Sequence, residues 1–317
     1  MALPRTAAED TVSSAQLATP MGGSVVLGLG FSALAYFLFA SSDAIVKLLV
    51  QRYSVFQIIA FQVCFALVPL VGTMVATGGL RAPKRRNLPL LALRALLAGF
   101  GTALGVLSFS LLPMADVYAI AFCTPLIVTV LSIPLLGERV GIRRWSAVLI
   151  GFIGVLVMVR PGFTTLSTGH FAALATAFTG AGTVLIMRHL RGAETSAVMV
   201  SSVMIGLLAV SLPVLPFVFR LPTPSDLALS AASGLMMGCA QFCILRALSL
   251  ASAATVAPMQ YSMMVWAVIY GLVVFGQPVS PFVLAGAGIV VLSSLYTMNR
   301  ERTLARMARA SAAAKGG

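Results

Sequence analysis

Residues 88–112 read LPLLALRALLAGFGTALGVLSFSLL, an apolar run in which Arg94 is the one charged residue. Residues 227–251 read LALSAASGLMMGCAQFCILRALSLA, a second run of the same length and character. A helix needs about 20 mostly apolar residues to cross a hydrocarbon core of roughly 30 Å, and each run exceeds that length. We therefore expect the chain to fold in a bilayer.

The composition of the whole chain indicates the same class. Its 317 residues are 59% hydrophobic and 9% charged, with a mean hydropathy of +1.02, whereas soluble domains carry roughly a quarter charged residues. The net charge of +13 does not predict a nucleic-acid partner, because the basic residues stand between apolar runs and not in a polar patch. Four cysteines in apolar runs and two histidines predict no disulfide framework, metal or cofactor.

Counting the apolar runs gives the predicted architecture, an all-α integral membrane protein with ten transmembrane helices. The polar residues 1–21 and the basic residues 299–317 are predicted to be tails on the cytoplasmic side. The ten runs lie at about 22–49, 54–77, 88–112, 115–136, 143–160, 169–188, 196–219, 227–249, 254–275 and 281–298.

The positive residues predict the orientation of these spans. Of the 21 Lys and Arg residues, Lys47, Arg52, Arg160 and Arg220 fall on one side, and the other 17 fall on the side of the two termini. Positive loops stay in the cytoplasm, so both termini are predicted to be cytoplasmic, in the inner membrane of a bacterium.

A shift of 139 residues aligns the third and fourth runs with the eighth and ninth without a gap. Gly99 then meets Gly238, and Gly137 meets Gly276. We interpret this as a duplication, with repeats at 22–162 and 163–298. Because each repeat holds five spans, an odd number, the two would be inverted in the membrane, an arrangement typical of secondary transporters.

Small-residue spacings occur on the repeated third and eighth helices. They are Gly101-x-x-x-Gly105 and Gly234-x-x-x-Gly238. Such spacings let helix backbones approach closely, so we expect them where the two halves meet.

Several motifs resemble the EamA-type transporters of the drug/metabolite transporter superfamily. They are Ser108–Asp116, Thr124-Pro125, Leu136-Gly-Glu-Arg139, Arg144-Trp145, Gly151-x-x-Gly154, Arg160-Pro161-Gly162 and, in the second half, Ala254–Tyr261 through Trp266 to Phe275–Pro278. The resemblance implies ten helices in two inverted repeats and movement of small organic molecules. The second half departs from the family pattern, since Gln277 replaces an acidic residue and Met264 aligns with Pro125.

Asp43 is the leading charged candidate for a solute site, because a charge at membrane depth needs a partner or a water-filled cavity. It lies four residues before Lys47 on the first helix. One interpretation is a structural ion pair between the two side chains. The other is that Asp43, with Ser41 and Ser42, faces a cavity and binds a cationic or amino group.

Uncharged polar and aromatic residues near mid-span are further candidates, because ligand sites combine apolar walls with a few polar anchors. We expect Pro125 to interrupt the fourth helix as a hinge or gate and to free a carbonyl. Asp116 is expected to cap the fourth helix, and Arg94 and Arg246 to extend to the cytoplasmic interface. The cavity candidates are Asp43, Tyr118, Phe122, Thr124, Gln241, Gln260, Tyr261 and Trp266.

The sequence thus predicts a non-enzymatic secondary transporter of an amino-acid-like, aromatic or drug-like solute. The lipid bilayer is its expected partner, and a second copy of the chain is a further candidate. Import of a vitamin or nucleotide-like metabolite is the alternative. A lipid-modifying membrane enzyme is a different class, but it would need paired catalytic groups, and neither histidine has an evident partner.

Overall fold

The computed structural model describes residues 22–76, 82–137, 142–159, 166–190, 192–293 and 295–296. Within these ranges the chain is helical and has no β-strand. The predicted tails, the pair Glu138 and Arg139, and Arg160–Gly162 lie outside the described residues.

Five helices are long and apolar enough to cross a membrane. Five further apolar helices have 10–17 described residues, and each predicted span overlaps one helix of the two sets. The all-helical membrane fold is confirmed, whereas the number of ten crossings stays a prediction. The long helices are Val25–Leu49, Arg85–Leu111, Met114–Leu135, Thr168–His189 and Pro224–Leu250, and the shorter ones are Val55–Val71, Val148–Met158, Ser196–Ser211, Ala257–Val273 and Pro281–Ser293.

We number the α-helices in chain order. Two 3-10 helices supplement them, Arg85–Asn87 before α3 and Ala257–Tyr261 between α11 and α12. The α-helices are α1 Gly22–Leu49, α2 Val55–Ala76, α3 Leu88–Leu111, α4 Met114–Ala121, α5 Thr124–Leu136, α6 Ile142–Val159, α7 Thr168–His189, α8 Ser196–Ser211, α9 Leu215–Val218, α10 Pro224–Leu250, α11 Ala253–Val256, α12 Ser262–Val273 and α13 Pro281–Ser293.

Helix boundaries recur at the 139-residue offset found in the sequence. α3 ends at Leu111 and α10 at Leu250, and the next helices begin at Met114 and Ala253. α6 begins at Ile142, and α13 begins at the equivalent Pro281. The end of this segment matches as well, because Gly137 and Gly276 both have a left-handed backbone, with φ of 66° and 59°, which glycine adopts at no steric cost.

The helices pack as two bundles that exchange elements between the chain halves. In the first bundle α10 packs against α1 and α2, and in the second α3 packs against α7 and α8. α12 packs on α1 of the first bundle, and α5 packs on α7 of the second. Each bundle therefore combines helices from both halves of the chain, with equivalent helices in equivalent places.

Glycines set the closest approaches inside both bundles. A Cβ added at Gly234 would lie 2.5 Å from the carbonyl oxygen of Gln62, and one at Gly238 would lie 2.7 Å from that of Ala66. In the second bundle, a Cβ at Gly206 would collide with the carbonyl of Ala95. The predicted close approach at the small residues of α10 is confirmed, since only a residue without a side chain fits there.

The two bundles are joined differently at their two ends. At the predicted outer end, where α1 ends and α10 begins, one hydrophobic core includes residues of both bundles together with α4 and α12; we call it the outer core. Its buried members are Ala44, Phe109, Leu112, Met114, Ala115, Val117, Tyr118, Ala119, Ile120, Phe122, Met158, Ala173, Met264, Ala267, Val283, Ala287 and Val290.

At the predicted inner end the described apolar clusters are smaller, and each belongs to one bundle. Ala35, Ala240 and Ala247 lie in clusters of the first bundle. Leu91 and Leu185 lie in clusters of the second. The exception is the cluster where α2 meets α8, which contains residues of both bundles and extends from Leu49 at the outer end to Val200 near the start of α8. The described residues therefore join the bundles through the outer core and along the contact of α2 with α8, whereas the other inner clusters each lie within one bundle.

Candidate functional site

The two interrupted helices meet at the centre of the molecule. The ring of Phe122, in the break between α4 and α5, contacts the ring of Tyr261 edge to face, with 5.2 Å between centroids. These residues are equivalent at the 139-residue offset, so a residue and its own repeat partner touch. The structure thus brings together two of the predicted cavity residues, from opposite halves of the chain.

The break in the fourth helix has the predicted cause. Pro125 has no N–H to bond to the carbonyl of Ala121, four residues earlier, and the Thr124 hydroxyl donates to that oxygen at 2.7 Å. The predicted interruption is confirmed, and the hydroxyl of Thr124 is used in satisfying the freed carbonyl. In the ninth of the predicted spans, Pro258 is the second residue of the 3-10 helix. The 139-residue offset does not point to it, because that offset aligns Met264 with Pro125.

Asp43 does not pair with Lys47. Its Oδ2 accepts a hydrogen bond from the Tyr118 hydroxyl at 2.5 Å, which links α1 to α4. The Lys47 ammonium instead donates to the carbonyl of Phe109 at 2.7 Å and to that of Leu112 at 2.5 Å, at the end of α3. The ion-pair interpretation is therefore wrong, because Lys47 is held by α3 and lies over the ring of Phe275.

Two aromatic residues of α12, Trp266 and Tyr270, contact α1. The ring of Phe37 contacts Trp266 edge to face at 4.8 Å. One turn along both helices, the Ser41 hydroxyl forms a 2.6 Å hydrogen bond with the Tyr270 hydroxyl. Tyr270 was not among the predicted residues, although an i, i+4 relation to Trp266 places both on one helix face.

Polar side chains tie each bundle together internally. In the first bundle the amide of Gln62 donates to the hydroxyls of Ser42, at 3.0 Å, and Ser233, at 3.1 Å. In the second, the Arg94 guanidinium donates to the Ser202 hydroxyl at 2.7 Å. Ser233 and Arg94 are equivalent at the 139-residue offset, so matching positions of α10 and α3 each carry a polar contact inside their bundle.

This contact corrects the prediction for Arg94. Its side chain is 8% exposed and bonds to α8, so it does not extend to the interface. Arg246 is exposed, and its extension to the cytoplasmic interface stays a prediction. Ser42 is likewise enclosed in its bundle, at 1% exposed, and does not face a cavity.

Two further cavity candidates, Gln241 and Gln260, take no part in the hydrogen bonds described above. Gln241 is partly buried and Gln260 is exposed, and neither makes a side-chain hydrogen bond with another described residue. Asp116 lies in the first turn of α4, but its carboxylate accepts no hydrogen bond from a described N–H group. The predicted cap at Asp116 is therefore wrong.

An ion pair and a hydrogen bond link the connection between α1 and α2 to α10 at the outer end of the first bundle; we call this group, Asp226 with Arg52 and Tyr53, a clasp. Asp226, whose side chain is 3% exposed, pairs with the Arg52 guanidinium at 2.9 Å and accepts from the Tyr53 hydroxyl at 2.8 Å. At the inner end of the second bundle, Glu194 accepts from the side chain of Asn87 at 2.6 Å. Asn87 and Asp226 are equivalent at the 139-residue offset, so the two clasps occupy matching places.

A chain with apolar helices in two alike bundles and a polar and aromatic centre between them has the organisation of a membrane transport protein. The family model for the EamA-like transporter family matches residues 26–160 and again residues 167–299. The chain belongs to this family and is a membrane transporter.

Individual relatives agree with this assignment. A riboflavin transporter of Rhizobium johnstonii is 27% identical over 66% of this chain and 69% of its own length. An S-adenosylmethionine uptake transporter of Rickettsia bellii is 24% identical over 87% of this chain and 94% of its own. A solved crystal structure with 17% identity, covering 89% of this chain and 98% of its own, has a TM-score of 0.61, which shows a shared fold.

Proposed function

We propose that the chain is a secondary transporter that moves a small organic solute across the bacterial cytoplasmic membrane by alternating access. The solute would bind between the bundles, near the contact of Phe122 with Tyr261. The site would be lined by Asp43, Tyr118, Gln241, Gln260 and Trp266, with the break at Thr124 and Pro125 as the hinge.

The main support is the difference between the outer and inner ends of the two bundles. The bundles share the outer core, whereas the described inner clusters lie within single bundles except along the contact of α2 with α8. This is the asymmetry that a conformation open to one side requires. Because the bundles are built alike, the opposite conformation would exchange the roles of the two ends.

The recurrence of helix boundaries at one offset supports two inverted repeats, at 22–162 and 163–298. Ten spans with both termini in the cytoplasm follow from that arrangement and from the distribution of Lys and Arg. We propose this topology, in the inner membrane, for the chain.

Import of a vitamin or nucleotide-like metabolite is the second candidate. It is favoured by the names of the relatives, because riboflavin and S-adenosylmethionine both carry fused heteroaromatic rings. Aromatic side chains such as Tyr261 and Trp266 suit such rings through edge and face contacts.

The test is counterflow in proteoliposomes against amino acids, riboflavin-like compounds and nucleotide-related metabolites, with and without a pH gradient. We expect saturable uptake of at least one solute, accelerated by the same solute inside. A Tyr261→Ala variant should lose most of this uptake, and Gly288→Ala, where an added Cβ meets nothing within 4 Å, should keep it.

Two results would contradict the proposal. Failure of every solute to move, together with turnover of a lipid, would indicate the enzyme class instead. Flux that rises linearly with concentration, without acceleration by internal solute, would indicate a pore.

A further inference from the structure

Asp43 differs from the other described carboxylates in its place on its helix. Asp116 and Asp226 lie in the first turns of α4 and α10, and Glu194 lies in the connection between α7 and α8. Asp43 lies within α1, six residues before its end at Leu49. Of the carboxylates that the structure describes, it is therefore the one in the interior of a long membrane helix.

The charge of Asp43 is not matched by a side chain of the described protein. Its hydrogen-bond donor is the neutral hydroxyl of Tyr118, and the one ion pair among the described residues joins Arg52 to Asp226. The nearest cation on its own helix, Lys47, is 4% exposed and is held by two carbonyls of α3. A carboxylate at membrane depth needs a positive counterpart, and the described side chains supply none.

Part of Asp43 stays accessible, since its side chain is half-buried while Ala44 and Ser42 beside it are buried. Aromatic rings lie on the neighbouring helices. The ring of Tyr118 contacts Phe109 edge to face at 5.7 Å, and Tyr270 reaches α1 at Ser41. Asp43 therefore has aromatic side chains close by, and a carboxylate near aromatic rings offers an organic cation both charge pairing and cation–π contact.

We propose that Asp43 selects the solute, and that the solute is an organic molecule with a positively charged group beside a planar ring. This inference rests on the proposed transport function and adds the class of solute to it. In the conformation described here the Tyr118 hydroxyl occupies the position against Asp43 that the positive group takes.

Replacement of the Tyr118 hydroxyl by the positive group of the solute at Asp43 would also affect the outer core. Tyr118 is 5% exposed and is a member of that core, and its hydroxyl ties α4 to α1. When the positive group of the solute replaces the hydroxyl, α4 loses this tie. The second half of the chain has no equivalent of this hydrogen bond, because the residue equivalent to Tyr118 is Ala257.

The test uses pairs of ring-bearing solutes that differ only in charge, such as a sulfonium and its thioether or a quaternary pyridinium and the neutral pyridine. Each is tested as a competitor of counterflow and as a labelled solute in proteoliposomes. The variants are Asp43→Asn, Asp43→Glu and, as the matched carboxylate control, Asp116→Asn. Thermal unfolding of each purified variant shows whether it folds.

We expect the wild type to prefer the charged member of each pair at least tenfold, which corresponds to about 1.4 kcal/mol. Asp43→Asn should lose that preference, Asp43→Glu should keep its sign, and Asp116→Asn should match the wild type. If Asp43→Asn does not fold, Asp43→Glu decides through the size of the preference, which should change when the carboxylate moves by one methylene group and should stay at the wild-type value if another residue selects the solute.

Transport of some solute without preference for the charged members would overturn the inference and leave the transport function intact. The same conclusion follows if Asp43→Asn folds and keeps the wild-type preference. If the wild type moves no solute of any charge, the proposed function itself fails, and the inference fails with it.

Discussion

The two ends of the molecule differ although its two bundles are built alike. At the outer end, Lys47 of the first bundle donates to the carbonyls that end α3 of the second, inside one shared core. At the inner end, the described clusters lie within single bundles, apart from the one cluster formed where α2 meets α8. Under the proposed mechanism, contacts inside a bundle are structural, whereas contacts between the bundles at either end are the ones that the transport cycle exchanges.

The contact inside a bundle should give the largest effect when it is broken. In Gly206→Ala, the added Cβ would collide with the carbonyl of Ala95, and a backbone atom cannot move aside as a side chain can. We expect a loss of about 3 kcal/mol in the free energy of unfolding, at the upper end of the cost of overpacking, measured by thermal or denaturant unfolding in detergent. Gly288→Ala is the control, and a Gly206→Ala protein as stable as it would contradict the packing.

The tie between bundles at the outer end should affect conformation more than folding. Lys47→Met keeps the length of the side chain but removes its two hydrogen bonds to α3, each worth about 1–3 kcal/mol for a charged donor. We expect the outer end to open more often, so that a cysteine placed at Met264 reacts with an impermeant thiol reagent at least tenfold faster. Unchanged labelling in Lys47→Met would show that this tie does not hold the outer end.

The clasp at Asp226 lies inside the first bundle, so its loss should lower stability without stopping transport. Asp226→Asn keeps the shape of the side chain but removes its charge against the Arg52 guanidinium. Because Arg52 is 67% exposed, we expect a loss of only about 1 kcal/mol. Stability and counterflow are measured together, and a transport rate lowered tenfold at unchanged stability would contradict a purely structural clasp.

Gln260 should give the smallest effect. It is exposed and forms no side-chain hydrogen bond with a described residue, so Gln260→Ala should leave the unfolding temperature unchanged. If it contributes one neutral hydrogen bond to the solute, KM should rise by a factor of about 2–10 with kcat unchanged. Concentration-dependent uptake separates the two constants, and an identical KM would remove Gln260 from the site.

The apolar runs, their short connections and the repeat were readable in the sequence, because the length of a span and the spacing of glycines are local properties. The partners of the polar side chains could not be read from the sequence. The i, i+4 spacing of Asp43 and Lys47 is compatible with an ion pair, but a tertiary carbonyl at the end of α3 competes for Lys47. Helix periodicity cannot show that competitor.

The same reason explains the other corrections. A polar residue in an apolar run signals that a partner exists, yet Arg94 has Ser202 as its partner through a packing of α3 on α8 that no local pattern reveals. The repeat preserves the place of the helix break but not the position of the proline near it, so the 139-residue offset does not identify Pro258.

Whether the two bundles alternate which end they close is tested most directly by two distances between α7 and α10 in the intact protein, one on each side of the membrane. Spin labels at Met187 and Leu248 report the inner ends of α7 and α10, and labels at Phe171 and Leu227 report their outer ends; all four side chains are exposed. In nanodiscs, addition of a transported solute should shorten the inner distance in a growing fraction of molecules and lengthen the outer one in the same fraction. Two distances that stay fixed, or that change in the same direction while transport proceeds, would contradict the account.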